Sequence, residues 1–332
     1  MRKMLTVFIN FIKKAGVEML VGAVDIGGTK TIVGLVDEAG SIAAQRRFAT
    51  DAHNLPAQLR RCADALRACT QEAGAVAQLG VTMPGMVDSP RGVLLNAAFA
   101  GWRNVDVRAE LGRATGIAHI QVDNDVNACA LAELRLGHGR KFRHFVWMTV
   151  STGVGGAVVV DGQLVRGAWH CAGELGHIKV EYDKPVRCPC GGYGCLEAHG
   201  SGSAITRMTR ATAEAEPAFS TRLSASGLPA DAFGCATLAR QGDTTALAVY
   251  RQAAVYLGRG IAASVNVLNP QAVILGGGVT GAFDLLLPKL SETVNSDIIS
   301  NLCGVEIMKT ALGYEAALLG AATLALQPIP QG

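Results

Sequence analysis

Apolar and polar positions along the chain alternate between short strand-length runs and longer stretches with helical spacing. The short runs predict strands at residues 20–24, 31–36, 42–48, 79–83, 119–122, 145–150, 157–160 and 272–275. Helical spacing predicts helices at residues 55–73, 105–115, 125–136, 201–213, 243–268, 283–294 and 314–326. We expect Asp125 at the N-terminal cap of the helix that starts there. The mixture of strands and helices predicts an α/β fold.

The same local pattern occurs twice. A strand, a polar turn rich in glycine and a second strand are found near residue 25 and again near residue 151. The chain has 332 residues, which is enough for two α/β lobes. We therefore predict a duplicated, two-lobed fold with a cleft between the lobes: an N-terminal extension at residues 1–19, an N-terminal lobe at 20–138 and a C-terminal lobe at 139–332.

Composition and charge exclude several classes of protein. Hydrophobic residues make up 49% of the chain and charged residues 17%, which is typical of a buried, globular protein. A net charge of +3 indicates neither a nucleic-acid partner nor a membrane surface. The first twelve residues have some features of a signal peptide, but Asn10 interrupts the apolar run and no cleavage site follows. We expect a cytoplasmic protein, with Met19 as an alternative start of translation.

Three glycine-rich turns are candidate nucleotide-binding segments, because glycine lets backbone N–H groups approach a phosphate closely. The first turn carries Asp25, Gly27, Gly28, Thr29 and Lys30, and Asp25 is a candidate to hold Mg²⁺ through water. The second carries Ser151, Thr152, Gly153 and Gly155. The third, Gly276, Gly277 and Gly278, would let an adenosine lie against the backbone. Ordinary hairpin or strand-to-helix turns are the alternative for each.

Asn124 and Asp125 lie between a predicted strand and a predicted helix. A carboxylate in this place could accept the proton of an attacking sugar hydroxyl, which is what phosphoryl transfer requires of a protein. The alternative is a plain helix cap.

His177, Cys188, Cys190 and Cys195 form the most specific pattern. One imidazole and three thiolates complete a tetrahedral Zn²⁺ site and leave no open position, so the predicted zinc is structural. Unligated thiols in a loop are the alternative. The other six cysteines are predicted to be small core residues: Cys62, Cys69, Cys129, Cys171, Cys235 and Cys303.

Together these motifs resemble the ROK family of bacterial sugar kinases and sugar-responsive repressors. The most specific part of the resemblance is A-G-E-L-G-H at residues 172–177 followed by C-P-C-G-G-Y-G-C-L-E at residues 188–197. The resemblance covers residues 20–326 and implies an actin/hexokinase-like (ribonuclease H-like) fold, in which two lobes close on a sugar and ATP lies across the cleft. It also implies a homodimer, and the expected cofactors are ATP, the Mg²⁺ assigned above to Asp25 and the structural Zn²⁺.

The resemblance implies roles for individual residues. Asp125 would be the catalytic base, and Asn124 and Asp125 would bind the distal sugar hydroxyls. Glu174, His177 and Glu197 would bind the hydroxyls near the anomeric end, with His177 also a zinc ligand.

One position departs from the family pattern. Family kinases often place a sugar-binding asparagine where this chain has Ala98, and Asn96 is the candidate substitute. The sugar is therefore open: glucose is the first expectation, and N-acetylmannosamine, another N-acetylhexosamine or fructose is the alternative. A sugar-responsive regulator is a second alternative, although about two dozen residues before Asp25 are too few for a winged-helix domain. A sugar-binding protein without catalysis is the third.

Overall fold

A computed structural model describes residues 19–97, 99–302 and 304–327. The predicted extension up to residue 18, Ala98 and Cys303 lie outside the described residues. The chain divides into two compact units. The first consists of the described residues up to Arg140, of Arg166–Cys171 and of the residues from Glu315 onward. The second consists of Lys141–Val165 and Ala172–Tyr314.

The first unit contains a five-stranded sheet and a small three-stranded sheet. Its strands are β1 (Val21–Ile26), β2 (Lys30–Val36), β3 (Ile42–Ala49), β4 (Gln78–Met83), β5 (Met86–Asp88), β6 (Val93–Ala97), β7 (Trp102–Asp106) and β8 (His119–Asn124). The large sheet has the order β3-β2-β1-β4-β8; β1, β2 and β3 are antiparallel neighbours, and β4 and β8 join in parallel. The small sheet is the antiparallel set β5-β6-β7.

The second unit contains a sheet of the same design. Its strands are β9 (Phe145–Val150), β10 (Val154–Val160), β11 (Gln163–Val165), β12 (Ala272–Gly276) and β13 (Glu306–Lys309). The order β11-β10-β9-β12-β13 repeats two antiparallel pairs followed by two parallel ones. The predicted duplication is therefore confirmed by topology, although β13 and the short strands β5, β6, β7 and β11 are too brief to produce a sequence pattern.

Ten α-helices lie in the described residues. They are α1 (Leu55–Ala73), α2 (Val107–Thr115), α3 (Asp125–Leu136), α4 (Leu196–Gly200), α5 (Gly202–Ala215), α6 (Pro217–Ala225), α7 (Ala232–Arg240), α8 (Thr244–Leu268), α9 (Phe283–Asp297) and α10 (Ala316–Ala325). In α1, Asn54 caps the helix by accepting from the Ala57 N–H. Leu59, Cys62 and Leu66 lie on its buried face and pack on β2 and β3.

The last helix corrects the predicted domain boundary. We expected residues 139–332 to form one lobe, but α10 packs on β1, β4 and α3 of the first unit. Its residues are buried almost throughout, so it needs apolar surface on all sides. At Gly80 a Cβ atom would lie 1.7 Å from the Ala321 carbonyl oxygen, which shows how closely the helix backbone approaches β4.

Two helix starts also differ from the predictions. The helix predicted at residue 105 starts at Val107, because β7 extends to Asp106 and the Asp106 carboxylate caps the helix by accepting from the Ala109 N–H at 2.9 Å. Asp125 is not the cap of α3 either. Strand β8 continues through Asn124, and the Asn124 side chain is the cap.

The cysteines outside the zinc motif are mostly core residues, as predicted: Cys62, Cys69, Cys129 and Cys235 are buried. Cys171 is only partly buried, and its thiol donates to the Trp169 carbonyl oxygen, so this one is not a core residue. Within the described ranges, no helix combines the length and apolar character needed to cross a membrane.

Candidate active site and metal centre

The first glycine turn connects β1 and β2 of the first unit. The Gly27 N–H donates to the Lys30 carbonyl oxygen at 2.9 Å, and a Cβ atom on Gly27 would lie 2.8 Å from that oxygen. The Thr50 hydroxyl donates to the Gly27 carbonyl oxygen at 2.8 Å. Gly28 and Thr29 are exposed at the tip of the turn. Glycine is thus required at residue 27 by close backbone approach, and the turn presents its tip to solvent.

Asp25 lies at the end of β1, below this turn, and is 7% exposed. Burial, and after it the charge of the nearby Asp125, raise the pKa of its carboxyl from 3.8 to about 7. The Thr82 hydroxyl, which donates to Asp25 Oδ1 at 3.1 Å, and the charge of Lys30 act in the opposite direction. The fold therefore brings two of the predicted site carboxylates, Asp25 and Asp125, into one electrostatic neighbourhood.

Asn124 shapes the corner where β8 passes into α3. Its Oδ1 accepts from the N–H groups of Val126 at 2.9 Å and Asn127 at 3.2 Å, and its Nδ2 donates to the Gly85 carbonyl oxygen at 3.0 Å. An amide nitrogen carries two N–H bonds, so one remains for a ligand. Asp125 is the first helical residue, and its Oδ1 contacts the Val126 N–H at 3.0 Å.

Asn96 lies on β6, close to the same corner. A Cβ atom on Gly85 would lie 2.3 Å from the Asn96 carbonyl oxygen, so the two backbones are in contact. The Asn96 Oδ1 is buried and has no hydrogen-bond partner among the described residues. A buried acceptor without a donor is costly, and a sugar hydroxyl would satisfy it.

The predicted zinc ligands come together in the second unit. The ligand atoms of His177, Cys188, Cys190 and Cys195 all lie within 4.8 Å of one another. The Cys188 Sγ to His177 Nδ1 distance is 3.7 Å, and so is the Cys190 Sγ to Cys195 Sγ distance. Tetrahedral Zn²⁺ with bonds of about 2.3 Å to sulfur places two sulfurs about 3.8 Å apart. The donor set and its spacing therefore fit a structural zinc ion.

Glycines and a lysine support this cluster. Gly191 and Gly194 have φ values of +92° and +72°, a backbone conformation that favours glycine. The Lys179 Nζ donates to Cys195 Sγ at 3.0 Å, and this hydrogen bond raises the pKa of the lysine. A positive charge here would offset the negative charge of a three-thiolate zinc site.

Two acidic residues lie beside the cluster. Glu174 Oε2 is 3.8 Å from His177 Nε2, whereas the other ring nitrogen, Nδ1, faces Cys188. Glu197 Oε2 accepts from the Val154 N–H at 3.1 Å, and a Cβ atom on Gly153 would lie 2.3 Å from this oxygen. Glu197 thus joins the cluster to the second glycine turn, and a side chain at residue 153 would have to displace its carboxylate.

The second and third glycine turns line one pocket of about 700 Å³ within the second unit. Ser151, Thr152 and Gly278 contribute to its wall. The other predicted glycines have packing roles there: a Cβ atom on Gly276 would lie 2.5 Å from the Trp147 ring, and one on Gly277 would lie 2.4 Å from the Val150 carbonyl oxygen. Gly155 lies within β10, opposite Thr149.

Sequence reasoning missed the rest of the pocket wall. Arg207, Arg210 and Glu214 come from α5, and Phe233, which is 70% exposed, comes from α7. Their helices carry no motif, so only the tertiary structure brings these side chains to the glycine turns. The sequence also gave no indication of Arg166, which pairs with Asp123 beside Asn124.

Each unit thus combines a five-stranded sheet with a glycine turn after its first strand, which is the design of actin/hexokinase-like proteins. The sequence model of the ROK family matches residues 21–328, and the chain therefore belongs to this family. A glucokinase from Thermotoga maritima is 35% identical over 305 residues, which cover 91% of this chain and 95% of that protein.

Solved structures and regulators are also similar to this chain. A ROK family glucokinase from Streptomyces griseus, crystallised in complex with glucose and AMPPNP, superimposes with a TM-score of 0.80 at 32% identity; the match covers 93% of this chain and all of that one, 100%. A xylose repressor from Bacillus subtilis is 25% identical over 249 residues, which cover 75% of this chain and 60% of the repressor.

Proposed function

We propose that this protein is an ATP-dependent kinase that phosphorylates the terminal C6 hydroxyl of a hexose, with glucose as the first substrate. Glucokinases at 31–35% identity over more than nine-tenths of the chain support this function. So does the similarity to a solved glucokinase whose ligands are glucose and an ATP analogue. The observation that carries the proposal is the corner at β8 and α3, where Asp125 begins a helix beside the buried Asp25.

In this reaction Asp125 accepts the proton of the C6 hydroxyl as its oxygen attacks the γ-phosphorus of ATP. The bond between that phosphorus and the bridging oxygen breaks, and ADP leaves. The protein contributes positioning and charge rather than covalent chemistry. Asp125 is suited to this role because it is the first residue of α3, where the cap is supplied by Asn124 instead.

The remaining site residues divide into sugar and nucleotide contacts. Asn96 and Asn124 offer a buried acceptor and a free N–H bond to ring hydroxyls. We assign the anomeric end of the sugar to Glu174, His177 and Glu197. The phosphates are assigned to the two glycine turns, Asp25 to Lys30 and Ser151 to Gly155, and the adenosine to the 700 Å³ pocket beside Gly278.

Mg²⁺ and Zn²⁺ are proposed as metals with separate roles. Mg²⁺ would neutralise charge on the ATP phosphates, and Asp25 is the residue to hold it through water. Because burial raises the pKa of Asp25, a bound cation would favour its ionised form. Zn²⁺ would be held by His177, Cys188, Cys190 and Cys195 and would fix the loop that carries Glu174 and Glu197.

Two further features belong to this proposal. A cytoplasmic location agrees with the use of ATP and with thiolates that must stay reduced to bind zinc. A homodimer is expected from the family resemblance.

The test measures phosphorylation of a panel of sugars by the purified protein, with ADP release as the readout. The panel contains glucose, mannose, fructose, N-acetylglucosamine and N-acetylmannosamine. Asp125→Asn should lower kcat by about 10²–10⁴-fold, because the proton acceptor is lost, and should change glucose binding little. Asp106→Asn is the matched control, since it lies at the equivalent strand-to-helix corner before α2 and asparagine still caps a helix. Near-wild-type kcat in Asp125→Asn would remove Asp125 from the mechanism.

A further inference from the structure

A buried ion pair lies directly beside the proposed catalytic corner. Asp123 is the residue before Asn124 in β8 and is 1% exposed. Its Oδ2 pairs with Arg166 Nη1, and the Arg166 side chain is 22% exposed. A carboxylate so deeply buried requires a partner, because removing one member of such a pair leaves an uncompensated charge.

Arg166 reaches Asp123 from a distant part of the chain. It follows β11 directly, and the two residues are 43 positions apart. The short segment Arg166–Cys171 nevertheless belongs to the first unit, together with β8 and α3. The ion pair is therefore a contact within the first unit, made by a segment that leaves the sheet of the second unit.

Asp123 connects this pair to the first turn of α3. Its Oδ1 accepts from the Asn124 backbone N–H at 2.7 Å and from Asn127 Nδ2 at 3.2 Å. Asn124 in turn caps the helix and donates to the Gly85 carbonyl oxygen. One carboxylate therefore holds Asn124, the residue before Asp125, and Asn127, two residues after it on the helix turn.

We propose that Arg166 is a positioning residue for phosphoryl transfer. By holding Asp123, it fixes the orientation of Asn124 and of the helix turn that carries Asp125. The proposal rests on the kinase function proposed above for this corner. Arg166 contacts neither reacting atom in this scheme and acts only through Asp123. A guanidinium suits this role because its planar fork holds a carboxylate in a defined orientation, which a lysine ammonium does not.

The double variant Asp123→Asn/Arg166→Met distinguishes an ion pair that only stabilises the fold from one that also positions the catalytic corner. Removing both charges abolishes the uncompensated charge, and such replacements are often neutral for stability. Asparagine also keeps an acceptor oxygen. We therefore expect the thermal midpoint of the double variant to return close to that of the wild type, while the orientation supplied by the arginine remains lost.

The experiment measures kcat and both KM values for Arg166→Met, Arg166→Lys and the double variant. We expect kcat to fall about 10–100-fold in Arg166→Met and in the double variant, because displacement of a reacting group by about 1 Å costs up to about 10²-fold. The KM for ATP should stay unchanged, and Arg166→Lys should recover part of the loss. Arg143→Met is the matched control: its pair with Asp161 is exposed on both sides, at 73% and 67%, and kcat should not change.

Wild-type kcat in the double variant, together with restored stability, would overturn the proposal and leave the pair a structural one. A wild-type protein inactive on every sugar would instead reject the proposed function. In that case amide hydrogen exchange at Val126 and Asn127, whose N–H groups Asn124 caps, decides whether Arg166 orders the corner. Exchange about tenfold faster in Arg166→Met supports the ordering, and exchange at the wild-type rate overturns it.

Discussion

Asp25 offers a direct test of the electrostatics of the first glycine turn. Its carboxyl is buried at the end of β1 beside Asp125, and its pKa is raised to about 7 from an ordinary value of 3.8. Asp25→Asn keeps the size of the side chain and an oxygen that can accept from the Thr82 hydroxyl. The substitution therefore removes the buried charge and little else.

The number of protons bound by Asp25 in the folded and unfolded states determines how the free energy of unfolding changes with pH. Between pH 3.8 and about 7 the folded protein holds a proton on Asp25 that the unfolded chain has released, so the free energy of unfolding falls as the pH rises through this window. Above about pH 7 the cost of the ionised carboxylate is complete, on the order of 4 kcal/mol at about 1.4 kcal/mol per pH decade. Asp25→Asn should therefore be more stable than the wild type at alkaline pH.

The assay compares urea unfolding of the two proteins at about pH 5.5 and about pH 8.5. The stability advantage of Asp25→Asn should grow by about 2 kcal/mol between these two values, because roughly half of the cost is already present at the lower one. The same variant should lose kinase activity, since an amide does not replace a carboxylate beside Mg²⁺. Stability would thus rise as activity falls.

Asp37→Asn is the matched control, for which we expect the opposite effect on stability at alkaline pH. The Asp37 carboxylate accepts from the N–H groups of Ala39 and Ser41, both at 2.8 Å, and these bonds lower its pKa. Its contribution to stability is present above the unfolded pKa and is lost as the pH falls through the folded one, so Asp37→Asn should destabilise the protein most at alkaline pH. If Asp25→Asn is less stable than the wild type at about pH 8.5, or its advantage is independent of pH, the buried charge at Asp25 is not a cost to the fold and our reasoning is wrong.

Three other experiments test separate parts of the molecule. Mass spectrometry should find about one zinc per wild-type chain and none in Cys190→Ala, because the site needs four ligands. Cys235→Ala is the control and should keep the metal. Wild-type protein that is purified without chelators and contains no zinc would reject the metal site. Asn96→Ala should raise the KM for glucose about two- to tenfold, because one hydrogen bond of about 0.5–1.5 kcal/mol is lost. If the ranking of sugars is unchanged in both Asn96→Ala and Ala98→Asn, this segment does not contact the sugar. Gly80→Ala should lower the free energy of unfolding by about 3 kcal/mol, because the new Cβ atom has no space beside α10. Gly281→Ala is the control and should be neutral, because a Cβ atom there meets no heavy atom within 4 Å. Equal urea midpoints for the two variants would contradict the packing of α10 on β4.

The sequence by itself determined the parts of this protein that are encoded over short distances. The glycine turn after β1 was predicted because Asp25 to Lys30 are neighbours in the chain. The metal centre was predicted because its four ligands lie within residues 177–195, and the structure brings their donor atoms together. The duplicated α/β design was visible because strands and helices of ordinary length leave periodic patterns. Catalytic roles for Asp125, Glu174 and Glu197 remain predictions.

The tertiary structure decided what depends on distant segments meeting. An apolar helix such as α10 carries no indication of which sheet it covers, and its packing on β1, β4 and α3 assigns it to the first unit. The choice of Asn124 over Asp125 as the cap depended on how far β8 continues, which its pairing with β4 sets. Arg166 meets Asp123 across 43 residues, and no local pattern encodes such a pair. Local chemistry is written in neighbouring residues, whereas burial and long-range pairing are set by which faces of the sheets and helices have to be covered.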